Sequence, residues 1–371
     1  MTPGRSYHTE VKIALTHPYS WPEVRRGAER IIVETSRALA ARGHDVTVYT
    51  AGRQAGTTFL HGARFVRFRR WAPRDWLHEQ WFGWRVAPHL AVGRFDATHS
   101  FMPHDALAAI RTRRVGGHRT LYDEMGVPWL IWHTLRDASA RERVARDVDV
   151  YGCMSAYALD ALREHGREGV RIPGGVRLSQ FTPAPERTEA PTLLFSGAFD
   201  VGFKNVATLL DALALAAEEL PQLQLWLSGP GDGRALLAAA PPAARERTTI
   251  LPLGTPDDQP ERYGRAWATV LPSVRESFGM VMLESLACGT PIVTSDHGAP
   301  QELVTPATGA VSAAGDPASL AQALLRAVEL ARDPSTVEAC RRSVTPYDWD
   351  TGIAPLLEQL YAGDLADLPA G

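Results

Sequence analysis

The densest chemistry in this sequence lies in Pro272-Ser273-Val274-Arg275-Glu276-Ser277-Phe278-Gly279-Met280-Val281-Met282-Leu283-Glu284-Ser285-Leu286-Ala287-Cys288-Gly289-Thr290-Pro291. A strand feeds a loop carrying Glu276, and a helix around Gly279–Ala287 then carries Glu284. One acid precedes the helix and the other rides on it, so both can face one crevice. Carboxylates there would accept hydrogen bonds from sugar or ribose hydroxyls, charge-assisted bonds worth ~1.5–3 kcal/mol. Amides near Phe278 and Gly279 stand at the helix N-terminus, where the macrodipole favours anions. A second acidic pair, Asp123 and Glu124, is expected on a loop after a strand at Thr120–Leu121. It would either greet a cationic acceptor, such as an amino-sugar or aminocyclitol, or sit as acids at a helix N-terminus. Asp257-Asp258 reads as a surface-loop pair and not a metal site.

These residues need a scaffold, and the pattern supplies one. Val11–Leu15 reads as a strand, and Ala28, Ile31, Ile32, Thr35, Ala38 and Leu39 mark one helix face up to Gly43. Asp45–Thr50 is the next strand, completing a βαβ unit and implying a parallel sheet covered by helices. The pattern restarts after Pro183-Ala184-Pro185, with strands at Thr192–Ser196, Leu223–Ser228, Ala268–Pro272 and Pro291–Ser295 and a helix at Asn205–Ala217. Two doubly wound modules are expected, with ligands outside the carboxyl ends of the strands. The Gly-rich Gly229–Gly233 run is then a tight turn near a base or ribose.

Bulk properties agree. The chain has 371 residues, 45% apolar and 22% charged, with a net charge of −3. That suits two globular domains and gives no basic surplus for nucleic acid. Cys153, Cys288 and Cys340 are odd in number and widely spaced, which argues for packed thiols rather than disulfides or zinc. No apolar run reaches signal-peptide or membrane-span length, so a cytoplasmic location is the expectation. Between Arg64 and Phe95, Arg64, Arg67, Arg69, Arg70, Arg74 and Arg85 stand beside Trp71, Trp76, Trp81, Phe82 and Trp84, and Trp129 and Trp132 follow. That stretch reads as a helix packed on the first domain, as an aromatic acceptor wall, or, less favoured, as a membrane-surface patch.

The Glu276–Glu284 segment resembles the Glu-x7-Glu signature of retaining glycosyltransferases of family GT4, which have the GT-B fold. The likeness spans the chain. Gly27-Ala28-Glu29-Arg30, Phe95-Asp96-Ala97-Thr98-His99-Ser100, Ile172-Pro173-Gly174-Gly175-Val176 with Phe181-Thr182-Pro183, Ser196-Gly197 through Lys204, and Gly298 with Glu302 all match family positions. The resemblance implies two Rossmann-like doubly wound α/β domains facing across a cleft. Residues 1–182 would bind the acceptor, joined by a crossing helix within 346–371, and residues 183–345 would bind the donor. Glu284 would hold the donor ribose. Glu276, with Ser277 and the amides of Phe278, Gly279 and Met280, would hold the transferred sugar. Lys204, beside Gly197, would neutralise the diphosphate, the backbone at Gly254-Thr255 would meet the base, and His99 would reach the sugar. Gly27 and His104 join Asp123 and Glu124 on the acceptor side.

The implied reaction is retaining transfer from a nucleotide-sugar, with UDP favoured, to a small hydrophilic or natural-product acceptor. It needs no metal and no cofactor, because the nucleotide-sugar is itself a substrate. The oligomeric state is left open. Four family positions differ: the phosphate loop has Ala198 where an Arg is usual, Phe101 replaces a second His, Gly174 replaces the Asn before the linker Gly, and Arg177 replaces the Asp after Gly175-Val176. Arg275 or Arg177 would have to substitute for the missing cation. Two alternatives therefore stand beside the first: a pseudo-glycosyltransferase or nucleotide-sugar isomerase, and a non-catalytic sugar-nucleotide-binding protein.

Overall fold

The computed structural model describes residues 10–24, 26–71, 75–128, 138–199 and 201–364. Arg74, Trp129 and Trp132 lie outside the described residues. The chain divides into two compact units, Met1–Pro173 with Ile353–Gly371, and Gly174–Gly352.

In the first unit the strands are β1 Lys12–Thr16, β2 Asp45–Gly52, β3 Gly56–Leu60, β4 Ala63–Arg69, β5 Ala97–Ser100, β6 Arg119–Glu124, β7 Val150–Cys153 and β8 Val170–Arg171. They form one sheet in the order β3-β4-β2-β1-β5-β6-β7-β8. Every pairing is parallel except β3 with β4. That hairpin turns through His61 and Gly62, both at positive φ, the geometry a two-residue hairpin loop needs. Ile13, Ala14 and Leu15 on β1 are fully buried, as expected for a strand covered on both faces. The helix Asp75–Val92 turns His78, Phe82, Gly83, Val86 and Leu90 inward. Phe82, Val86 and Leu90 join Tyr49, Phe68 and Phe95 in one core. Trp81 packs against that core, whereas Trp84 and Trp71 stand more than 70% exposed. The basic-aromatic stretch is thus partly core and partly surface.

The second unit holds β9 Thr192–Ser196, β10 Gln224–Ser228, β11 Thr248–Ile250, β12 Ala268–Leu271, β13 Ile292–Ser295 and β14 Gly309–Ser312. Their order is β11-β10-β9-β12-β13-β14, all parallel. The chain steps from β9 outward to β10 and β11, then returns to β12 on the other side of β9. In such sheets ligands bind where the order reverses, here between β9 and β12. Leu193, Leu194, Phe195, Leu225, Leu227, Val270, Ile292 and Val293 fill the centre with no exposure. The helices Val206–Glu219 and Met280–Ala287 between these strands, and Pro317–Arg332 after the last, bury their apolar faces.

The division between the units departs from the boundaries expected at 182/183 and 345/346. Residues 174–182 and 346–352 belong to the second unit, because these two passing segments pair with each other. Val176 bridges Asp348 in parallel, Arg177 pairs with Asp350 at 2.8 Å, and Arg341 donates to the Phe181 carbonyl at 3.1 Å. The helix Ala354–Ala362 is part of the first unit. Arg42 grips its Glu358 through two bonds of 2.6 and 2.8 Å, and His44 Nε2 lies 2.8 Å from the same carboxylate.

One contact at the end of β10 is tight enough to test. Gly229 sits at φ +153°, and a Cβ there would fall 1.9 Å from the Gly197 carbonyl oxygen. The clash is with backbone and cannot be relieved by a rotamer. We expect Gly229→Ala to cost ~1–3 kcal/mol, which lowers Tm by ~2–4 °C per kcal/mol. A scanning-calorimetry Tm equal to wild type would remove this account of the packing.

Candidate functional site

The loop after β9 and the loop after β12 meet in the second unit. Their strands are neighbours, with Ala268 opposite Leu193. Val274 N donates to the Phe203 carbonyl at 2.9 Å, fastening one loop to the other. Lys204 ends a 3₁₀ turn, Gly202–Lys204, and its Nζ forms an ion pair with Glu276 Oε2. Both side chains are more than 80% covered, so the pair is poorly screened by water. The ammonium also lies 5.2 Å from the Phe203 ring centroid. The Glu276 backbone is fixed separately: it forms a parallel bridge with Gly298, and its carbonyl accepts from Ala299 N at 2.9 Å. Gly197, half-buried at the end of β9, donates its N–H to the Ser228 carbonyl at 2.9 Å.

Gly279 opens the helix Met280–Ala287 at φ +89°. A Cβ there would lie 3.0 Å from Pro300, so the positive φ strains any side chain and the space adds a tight contact. Phe278 is buried, Ser277 and Met280 are half-buried, and Arg275 is exposed at φ +68°. Glu284 is 2% exposed on the inner face of the helix. Burial and the Glu284 charge together push the Cys288 thiol up to about 12. Cys153 and Cys340 are likewise free, buried and raised. Arg177, the other candidate second cation, is buried and paired with Asp350 at 2.8 Å. Arg275 has no ion-pair partner among the described residues. Thr255 and Asp258 close a capping box beside Gly254: Thr255 N donates to Asp258 Oδ2 at 2.6 Å and Thr255 Oγ1 donates at 3.0 Å.

In the first unit the acceptor-side residues are more deeply placed than the sequence suggested. Asp123 and Glu124 are the last residues of β6, not loop residues, and both are buried. The Glu124 carboxylate accepts from Arg141 at 2.8 Å, Tyr122 OH at 3.1 Å and Gly126 N at 3.2 Å. It is a structural anchor for the helix Ala138–Asp147. Asp123 is pushed up to about 8 by burial and the Glu124 charge, so at neutral pH it carries a proton. His99 is 1% exposed, stacks on Phe101 at 4.4 Å between centroids, and has Nδ1 2.9 Å from Tyr361 OH. Burial lowers it to about 3, so it is a neutral interior group. His104 lies in the first turn of the helix Pro103–Gly116, and Gly27 opens the helix Gly27–Ala41 with open space where a Cβ would be.

Two buried polar clusters went unpredicted. Glu29 is 2% exposed beside Arg26 at 2.6 Å and His17 Nε2 at 3.2 Å. Burial would raise its carboxyl, but the bonds from His17 and Arg26 outweigh that and hold it low. Asp105 is 1% exposed and accepts from Thr16 Oγ1 at 2.6 Å, and Thr16 Oγ1 lies 2.8 Å from Ser100 Oγ. Thr16 and Ser100 end β1 and β5, the point where the order of this sheet reverses. The available sequence signal was a hydroxyl closing each of two buried strands and an acid in the first turn of the following helix.

Comparison with known proteins agrees with this architecture. Residues 25–180 match the family model for Glycosyltransferase Family 4, and residues 190–329 match that for Glycosyl transferases group 1. This chain belongs to glycosyltransferase family 4. Among its relatives is the phosphatidyl-myo-inositol mannosyltransferase of Mycobacterium leprae, 27% identical across 95% of this chain and 96% of that one. A D-inositol 3-phosphate glycosyltransferase from Thermobispora bispora is 33% identical over 50% of this chain and 48% of its own. Of solved structures, a sucrose-phosphate synthase from Thermosynechococcus elongatus superposes with a TM-score of 0.81 at 21% identity, covering 95% of this chain and 99% of that one. The Anabaena protein HepE in complex with UDP-glucose gives 0.73 at 16% identity, covering 95% and 100%. The fold of this glycosyltransferase is therefore GT-B. No helix among its described residues is long and apolar enough to cross a membrane.

Asp105 gives the enzyme a pH signature. Burial pushes its carboxyl up to about 8, well above an unfolded value near ~3.9. Between those values the folded chain holds a proton that the unfolded chain has lost, so stability falls as pH rises from about 4 to 8 and levels off above. Asp105→Asn keeps an oxygen acceptor for Thr16 and removes the titration. The Tm of the variant relative to wild type should rise steadily from pH 5 to 8 and then flatten. A difference independent of pH in a thermal-shift series would refute the assignment.

Proposed function

We propose that this chain is a retaining, metal-independent glycosyltransferase that moves a sugar from a nucleotide-sugar, with UDP favoured, to a small polyhydroxylated acceptor of the sugar or cyclitol class. The observation that carries this reading is the covered Lys204–Glu276 ion pair between the β9 and β12 loops, with Glu284 turned inward on the adjoining helix. The UDP-glucose held by HepE supports the donor. The two relatives named for inositol compounds support a ring polyol as acceptor.

The pair is a charge exchange waiting for a donor. An arriving diphosphate competes with Glu276 for the Lys204 ammonium, and the freed carboxylate accepts a hydroxyl of the transferred sugar. Glu284 takes the ribose hydroxyls, and the amides of Phe278, Gly279 and Met280 hold the sugar at the helix N-terminus. As the bond from the anomeric carbon to the diphosphate oxygen breaks, its electron pair stays on that oxygen. Lys204 stabilises the growing charge, aided by Arg275. The acceptor hydroxyl adds on the face the diphosphate leaves, and its proton passes to the departing phosphate oxygen. Positioning and preorganised charge carry such a step, with no strong base required. In the first unit, Gly27 and His104 remain the acceptor-side positions. His99, Asp123 and Glu124 serve as interior supports.

A second reading keeps the fold and changes the reaction to a pseudo-glycosyl transfer or a nucleotide-sugar isomerisation. The burial of Arg177 against Asp350 favours it, because Lys204 is then left with only Arg275 as a second cation. A third reading is a binding protein without turnover. Mass analysis of products from a donor panel separates all three.

Glu284→Ala should weaken UDP binding ~10- to 150-fold in calorimetry, the equivalent of ~1.5–3 kcal/mol for a charged hydrogen bond. Lys204→Ala should lower kcat ~10²–10³-fold. Undiminished UDP affinity in the first variant would count directly against the site.

A further inference from the structure

We infer that Arg262 is a positioning residue that fixes the nucleobase end of the donor site and so sets base selectivity. This rests on the donor reading above. Arg262 lies on the short helix Gln259–Arg265, between β11 and β12. Its Nη1 donates to Ser228 Oγ at 2.7 Å and its Nη2 donates to the Pro252 carbonyl at 2.9 Å. Ser228 is the last residue of β10, and Pro252 follows β11. One guanidinium therefore ties together the carboxyl ends of two neighbouring strands.

The tie extends in both directions. Gly254 packs close against the guanidinium, since a Cβ there would meet Nη2 at 2.6 Å. The same Cβ would fall 2.9 Å from Asp258 Oδ2, the carboxylate that caps Thr255. The loop carrying Gly254 and Thr255 is thus held between Arg262 and its own capping acid. On the other side, the Ser228 carbonyl accepts from Gly197 N at 2.9 Å, so the base loop and the phosphate loop share one strut. The loop presents an exposed apolar Leu253 and an exposed Thr255 around Gly254, so its polar groups there are the backbone and one hydroxyl. Its hydrogen-bonding pattern toward a flat heterocycle depends on loop position more than on any side chain. Arg262 sets that position with two donors in a rigid fork, which a lysine cannot reproduce.

The test compares wild type with Arg262→Leu and Arg262→Lys, using UDP, GDP and inorganic pyrophosphate as calorimetric probes. We expect Arg262→Leu to lose ~10-fold or more in affinity for the preferred nucleotide and to narrow the UDP-to-GDP ratio. Pyrophosphate affinity should stay within twofold, which also reports that the variant is folded. In turnover, donor KM should rise while kcat holds. Arg262→Lys should fall with the Leu variant. Equal losses for pyrophosphate and nucleotide, or an unchanged UDP-to-GDP ratio, overturn the inference and leave the donor reading standing. A wild-type protein that binds neither nucleotide overturns both.

Discussion

The structure turns on a charge pair that cannot relax into water. Lys204 and Glu276 come from loops after different strands, and each is mostly covered. Two such charges are tolerated only because each neutralises the other, and removing one partner strands its mate at a cost of several kcal/mol. The surrounding architecture exists to hold them. The β9–β12 pairing sets the distance, the Val274–Phe203 bond joins the loops, and the Glu276–Gly298 bridge aligns the acid. Opposite charges fixed on two neighbouring loops are already oriented before any partner arrives, which is electrostatic preorganisation.

The two units repeat one plan with different chemistry at the same place. Each sheet reverses its strand order once near the middle, at β1/β5 and at β9/β12. In the second unit that point carries opposite charges. In the first it carries hydroxyls and an acid that burial keeps protonated: Thr16, Ser100 and Asp105. The helix Ala354–Ala362 stiffens the first unit through Glu358 and through Tyr361 on His99.

Membership of family 4 makes this chain a glycosyltransferase, and its fold is GT-B. Ala198 stands where the family's phosphate loop usually carries an arginine, and Arg275 is exposed on the loop after β12. At Gly229 a side chain would strike the Gly197 carbonyl, so no compensating side chain can stand there.

Local pattern was enough to read the βα alternation, the strands from Thr192 to Ser295, the Gly43 helix stop and the Glu276–loop–Glu284 segment. Each is a matter of periodicity, turn chemistry or short spacing within one stretch of chain. Other features depended on which distant segments came together. Val176 and Asp348 pair across the chain, which moved the unit boundary away from Pro183. Arg141 reached Glu124 and turned an apparent ligand into an anchor. Burial against Phe101 and Tyr361 made His99 an interior group, and Arg262 found Ser228 and Pro252. A side chain's charge state and availability are set by desolvation and by partners remote in sequence, and only the folded chain specifies either.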